Sequence, residues 1–215
     1  MRPYLFALLP VLGLAVVCPV STRAEDKKEE WVQLFNGKDL TGWKVYPKGV
    51  GKWKVEDGAI VGSGNASHLF SERGDYKNFR FRIEAKINDK GNSGQYVRTK
   101  FGPGFPRGFE AQINATHGDP VKTGSLYPDG READLKKVTT NLVLKAPHKP
   151  DEWFTQEVVC VGAKVTILVN GKQTVEWTDP KHRFKSGHFA IQHHDPGSIV
   201  HVRKVEVLEL PADKE

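Results

Sequence analysis

The stretch HFAIQHHDPGS, residues 188–198, holds three of the chain's eight histidines. Adjacent histidines after an apolar run could serve a metal ion, an acid/base pair or neither. Strand parity separates them. Successive side chains in a strand point to opposite faces, so Phe189 and Ile191 share a face with His193, while Ala190 and Gln192 share the other with His194. His193 therefore reads as a strand-end histidine covered by the sheet edge, and His194 groups with Gln192. GFEAQIN (108–114) divides in the same way. Phe109, Ala111 and Ile113 belong in a core, and Glu110, Gln112 and Asn114 form a polar row. Such a row is either a solvated outer face or a hydrogen-bonding platform for a polar ligand. QYVRTK (95–100) puts Tyr96 and Arg98 on one side. Arg98 is either a fixed donor to hydroxyls or a developing oxyanion, or a surface Arg paired with an acid such as Glu110.

Other chemistries find less support. A retaining glycosidase needs two carboxylates about 5 Å apart, and the positions following Glu110 on its face carry Gln112 and Asn114. His117-x-Asp119 and His194-Asp195 offer two ligands each, with no third at a recognisable metal spacing, so no metal site is assigned. GSGNASH (62–68) lacks the glycine pattern and the following helix of a dinucleotide loop and reads as a turn. Cys160 lies in the apolar run QEVVCVGAKV and reads as a small core residue.

The elements that must hold these residues have period two. FRFRIEAKI (79–87) alternates Phe79, Phe81, Ile83, Ala85 and Ile87 with Arg80, Arg82, Glu84 and Lys86, a half-buried antiparallel strand. Asp57-Gly58 and Asn170-Gly171 predict two-residue hairpin turns. Further strand runs are QYVRT, GFEAQIN, TTNLVLK, EWFTQEVVCVGA, GHFAIQH and VRKVEVLEL. No long helical pattern occurs; ADLKKV (133–138) fits one turn. Many short strands and 21 glycines predict an all-β fold, an antiparallel β-sandwich with very little helix. The segments 101–108 and 116–137 are too long for simple turns and read as binding loops.

Residues 1–24 read as a signal peptide, with an apolar run and small residues before Glu25. Lipidation of Cys18 is the alternative to cleavage after Ala24. Residues 25–30 form a charged linker, 31–210 a single domain and 211–215 a tail. The expected location is exported, periplasmic or secreted, with no membrane attachment after cleavage. Beyond the leader Cys160 is the lone cysteine, so no internal disulfide supports the domain. Net charge is +6, and the Lys and Arg residues are scattered, which argues against nucleic acid as a partner.

FNGKDLTGW (35–43), GNSGQYVR (91–98), GFEAQIN, TGSLY (123–127), PDEWF (150–154), VNGK (169–172), GHFAIQHH (187–194) and the closing VRKVEVLEL occur in this order. Together they resemble the 3-keto-disaccharide hydrolase domain family across residues 31–210. The resemblance implies a concanavalin-like jelly roll in an exported bacterial protein. It matches Asn92, Ser93, Gly94 and Arg98 to an NSG-strand-Arg motif, Glu110 and Gln112 to a Glu-x-Gln strand, and Tyr127 to a Gly-x-x-Tyr motif. Ile191, Gln192 and His194 match a Leu-Gln-x-His-Gly motif, in which Asp195 replaces the Gly. Phe154 replaces Asn in a second motif.

The implied substrate is a small carbohydrate, a 3-keto-disaccharide or 3-keto-glucoside. The C3 ketone acidifies the C2 proton; a base removes it, the glycosidic oxygen leaves C1, and water then adds. That route needs one base rather than two carboxylates. His194 or Glu110 is the expected base, His being suited to proton transfer near neutral pH. Arg98 would stabilise the enolate or a hydroxyl, and Gln112, Gln192 and Tyr127 would orient the sugar. No cofactor is required, although a divalent cation could replace Arg98 as the electrophile. The alternative is a non-catalytic carbohydrate-binding module of the same fold, with Phe101, Phe105 and Tyr127 as stacking platforms. An adhesion or scaffold role ranks behind both.

Overall fold

The computed structural model describes Met1, residues 30–127 and residues 142–211. The expected leader, most of the linker, the one-turn segment 133–138 and the tail beyond Pro211 lie outside the described residues. Within them regular structure is entirely strand: β1 (Val32–Gln33), β2 (Trp43–Tyr46), β3 (Lys52–Glu56), β4 (Ala59–Ser63), β5 (Ser67–Ser71), β6 (Phe79–Ile87), β7 (Ser93–Thr99), β8 (Phe109–Ile113), β9 (Leu126–Tyr127), β10 (Phe154–Val161), β11 (Lys164–Val169), β12 (Lys172–Thr178), β13 (His188–His193) and β14 (Val200–Glu209). No described helix is long and apolar enough to cross a membrane.

The strands form two antiparallel sheets. One runs β12-β11-β10-β6-β14-β4-β3, with β1 added on β14; the other runs β2-β5-β13-β7-β8-β9. Neighbours such as β6 and β14, or β7 and β13, are distant in sequence, as jelly-roll wiring requires. The turns explain the hairpins. Asp57 and Gly58 have φ of 50° and 72°, Asn170 and Gly171 of 51° and 75°, the two positive values that a two-residue type I′ turn demands.

The core fills the space between the sheets. Phe79, Phe81, Ile83, Ala85 and Ile87 of β6 are fully buried there. Phe189 of β13 stacks on Phe81 with centroids 3.9 Å apart and meets Phe79 edge-on at 4.8 Å. Each such ring contributes roughly 1.5–3 kcal/mol through burial. Cys160 is buried in this cluster, and burial pushes its thiol up to about 12, so it is a packing residue. The expected strand TTNLVLK is corrected in part. Residues 139–141 lie outside the described set, and 142–145 form no strand. Val143 is bonded instead to Lys122 N and to Ser125 Oγ, which satisfies its backbone without a ladder.

The two outer faces differ. On the larger sheet Arg80 pairs with Glu157, Arg82 with Glu206 and Arg203 with Glu84. Trp31 lies 4.0 Å from the Arg82 guanidinium and Trp153 lies 4.1 Å from that of Arg203. These partly exposed pairs are worth about 1 kcal/mol or less apiece, but they close that face. The outer face of the smaller sheet is buried for another reason. Its floor carries Tyr46, Phe70, Tyr96 and Ala190, and loops cross over it. Phe101 of the 100–108 loop packs edge-on against Phe70 at 5.1 Å and Tyr46 at 5.4 Å. Between loops and floor lies the cavity described next.

Candidate active site

Parity in β8 holds as expected: Phe109, Ala111 and Ile113 enter the core, and Glu110 and Gln112 face outward. Antiparallel register sets Glu110 between Tyr96 of β7 and Tyr127 of β9. Beyond β13 the chain delivers His194 to the same place. Glu110, Gln112, Tyr127, Gln192 and His194 line one cavity of about 540 Å³. Five of the six site residues expected from sequence thus converge. His193 does not: it is fully buried, with its ring nitrogens against the carbonyls of Asn65 and Ser198.

Glu110 is 6% exposed. Tyr96 Oη donates to its Oε2 at 2.6 Å, and Gln192 Nε2 donates to Tyr96 Oη at 3.2 Å. Burial lifts the Glu110 carboxyl from 4.5 to about 8; the Tyr96 bond opposes the rise and the charge of Asp119 adds to it. Glu110 is therefore protonated near neutral pH. Because Oε2 accepts from Tyr96, the proton resides on Oε1. That oxygen lies over Gly94, where a Cβ would overlap it. Gly94 sits in ordinary extended strand, so its missing side chain matters more than its backbone freedom. Gly94→Ala should displace Glu110 and lower kcat/KM about 100-fold, as misplacement by an ångström does. Kinetics alongside a thermal melt check this: the melt should stay close to wild type.

His194 is partly exposed, and its Nδ1 lies 3.0 Å from Asp195 Oδ2. Asp195 is braced by Gly197 N–H on Oδ1 and by the Ser198 hydroxyl on Oδ2. Burial opposes its ionisation, but the bonds from His194, Ser198 and Gly197 hold it below the usual carboxylate range. His194 Nε2 has no hydrogen-bond partner among the described residues.

Loops supply residues that sequence spacing did not assign. Asn114, the third member of the polar row, is a loop clamp. Its Nδ2 donates to the carbonyls of Asp119 and Val121, and its Oδ1 accepts the His117 N–H. Asp119 then accepts from Tyr127 Oη at 2.8 Å and lies 3.5 Å from Gln112 Nε2. Burial, then Asp119, keeps the Tyr127 hydroxyl protonated well past its ordinary range. The His117 ring comes within 5.9 Å of His194. The sequence named Asn114 in the polar row, His117 and Asp119 as a ligand pair and Tyr96 on the side of Arg98, without these roles.

His117, His194 and Asp195 place ligand atoms within 4.8 Å of one another, the cluster among the described residues with metal-binding potential. His117 Nδ1 accepts the Asp119 N–H at 3.1 Å, so the neutral ring carries its proton on Nε2, which faces Asp195 Oδ2 at 3.9 Å. His194 directs Nδ1 at the same oxygen. The two imidazoles and the carboxylate thus meet at one oxygen.

Arg98 is the correction. Two residues of β7, Val97 and Arg98, oppose the single Phe189 of β13, a bulge that breaks parity, and Arg98 has φ of 49°. Its side chain turns away from Tyr96 into the far end of the sandwich, beside a separate cavity. There it donates to the carbonyls of Lys77, Gly162 and Phe184 and to Asn78 Oδ1. It ties strand ends together and does not reach the Glu110 cavity. Arg98→Met should cost about 3 kcal/mol or more, since three carbonyls lose a charged donor, with KM of the folded protein unchanged. Denaturant unfolding and steady-state kinetics measure the two effects.

A two-sheet antiparallel jelly roll with a roofed, polar cavity on one outer face is the concanavalin-like, lectin-type fold. The chain belongs to the family of the 3-keto-alpha-glucoside-1,2-lyase-like domain, whose profile matches residues 30–208. A 3-keto-disaccharide hydrolase of Bacteroides thetaiotaomicron is 36% identical over 74 residues, 30% of this chain and 26% of that protein, so the match spans about a quarter of the relative. A Parabacteroides distasonis structure named as a glycosyl hydrolase is 28% identical with a TM-score of 0.65, covering 88% of this chain and 98% of that one. The carbohydrate-binding module CBM66 of Bacillus subtilis shares the fold at 14% identity and a TM-score of 0.57, over 78% of this chain and 96% of its own.

Proposed function

We propose that this chain, exported by its leader, cleaves the glycosidic bond of 3-keto-disaccharides or 3-keto-glucosides, with His194 as base and Glu110 as acid. The observation that carries the reading is a buried carboxyl held protonated in the same cavity as an imidazole whose outer nitrogen is unengaged. Two carboxylates of a standard glycosidase are replaced by one buried carboxyl and one imidazole, an acid and a base of different chemical type. The class of reaction that supplies the substrate is oxidation of a sugar C3 hydroxyl to the ketone.

His194 Nε2 takes the C2 proton. The electron pair forms the C1–C2 double bond of the enone, the C1–O bond breaks, and Glu110 Oε1 protonates the departing oxygen. Water then adds to C1, giving its proton to the Glu110 carboxylate, while the His194 imidazolium returns a proton to C2. Both groups regain their starting states and the net change is hydrolysis. Asn92 Oδ1 and Gln192 Oε1 are buried acceptors without partners at this cavity. An unsatisfied buried acceptor costs about 1–3 kcal/mol, and sugar hydroxyls would satisfy both.

A binding module remains the second reading because Phe105, 58% exposed, stands at the rim of the cavity as a face for sugar stacking. Incubation with a 3-keto-disaccharide separates the readings. Release of the free keto-sugar supports the enzyme; saturable binding without release supports the module.

A further inference from the structure

We infer that Asp195 is a positioning residue that holds His194 in the tautomer with its proton on Nδ1, leaving Nε2 as the proton acceptor; the catalytic consequence rests on the reading of His194 as the base. An ionised carboxylate can only accept, so the imidazole nitrogen 3.0 Å from Asp195 Oδ2 must donate. The bond made by one ring nitrogen decides which atom the other offers. Asp195 is itself fixed by a short relay. Asn92 N–H, at the edge of β7, donates to Ser198 Oγ at 2.8 Å, and Ser198 Oγ donates to Asp195 Oδ2 at 3.1 Å. Gly197 N–H holds the other oxygen at 2.9 Å. The carboxylate is thus anchored to the sheet that carries Tyr96 and Gln192, and the imidazole inherits that anchoring.

Other groups near His194 do not supply the same function. His117 faces Asp195 with a proton-bearing Nε2. His68 is held neutral at about 4 by burial and then by the neighbouring His194 and His193. Phe105 contributes a ring at 6.4 Å. Glu110 and Asp119 line the same cavity and engage Tyr96 and Tyr127. Asp195 is the described carboxylate bonded to the His194 ring.

The test pairs ring-nitrogen NMR with pH–rate profiles for the wild type, Asp195→Ala and Asp195→Asn. The Asn variant retains an acceptor for Gly197 N–H and guards against a collapsed loop. In the wild type, His194 should show a protonated Nδ1 and a bare Nε2; in Asp195→Ala the Nε2–H form should appear. Both variants should lose about 10–100-fold in kcat with KM within about threefold. The alkaline limb of the profile, set by Glu110, should stay in place in all three proteins. A protonated Nε2 in the wild type overturns the inference. So does a variant pair that only melts earlier, with tautomer and kcat unchanged. If the wild type releases no keto-sugar, the base assignment falls, while the spectrum still decides the tautomer.

Discussion

Glu110→Gln should lower kcat about 1,000-fold, the scale of a lost general acid, and at the same time make the protein more stable at alkaline pH. The two effects share one cause. Burial lifts the Glu110 carboxyl from 4.5 to about 8 in the folded chain. A group raised in this way leaves stability intact below its unfolded value and withdraws it as pH climbs towards the folded value. The wild type should therefore lose stability between about pH 4.5 and 8, on the order of 3–5 kcal/mol in total. Gln cannot ionise and still accepts the Tyr96 hydroxyl. Thermal or denaturant unfolding should show the variant more stable than wild type at pH 8 and equal to it at pH 4. Activity of the wild type should fall as pH rises through about 8, where Glu110 loses its proton. A variant that is inactive but no more stable at pH 8 would contradict the buried neutral carboxyl.

His194→Ala should lower kcat by about 100- to 10,000-fold, the range for a positioned base, with a different signature. His194 is partly exposed, with 37% of its side chain accessible, so the fold should change by less than about 1 kcal/mol. The alkaline limb of the pH–rate profile, set by Glu110, should stay in place. Added imidazole should restore part of the rate by entering the vacated volume. Steady-state kinetics across pH, with and without imidazole, reads all three. Retention of near-wild-type turnover in this variant would remove His194 from the chemistry.

Much of the site was legible because strand parity is a local property. FRFRIEAKI, GFEAQIN and HFAIQHH each sort their residues by face without knowledge of any neighbour. That parity separated His194 from His193 and joined Glu110 to Gln112. The resemblance to the family added the order of motifs around them. Asp195, where the chain departs from the family motif, sits against His194.

Arg98 failed for a physical reason: a bulge inserts one residue between Tyr96 and Thr99, and nothing in QYVRT announces it. His117 and Asp119 read as a pair lacking a third ligand because Asp195, which faces His117, is far along the chain. Loop closure brings them in, and loop paths follow from contacts such as those of Asn114 rather than from period. The pKa of Glu110 was out of reach for the same reason. Its value depends on the roof of the cavity and on Tyr96, which was placed on the right face without a role. Val143 shows the converse, an apolar run of strand-like composition whose backbone is satisfied by a turn.

The central claim is that the glycosidic bond is cut by way of the C2 proton. Turnover of a 3-keto-disaccharide in D2O, followed by proton NMR against an enzyme-free control, tests it most directly. The account predicts free keto-sugar that carries deuterium at C2, because the N–H of the partly exposed His194 imidazolium exchanges with solvent before it returns a proton to C2. Release of a product that keeps its original C2 proton, as direct displacement at C1 would give, would contradict it.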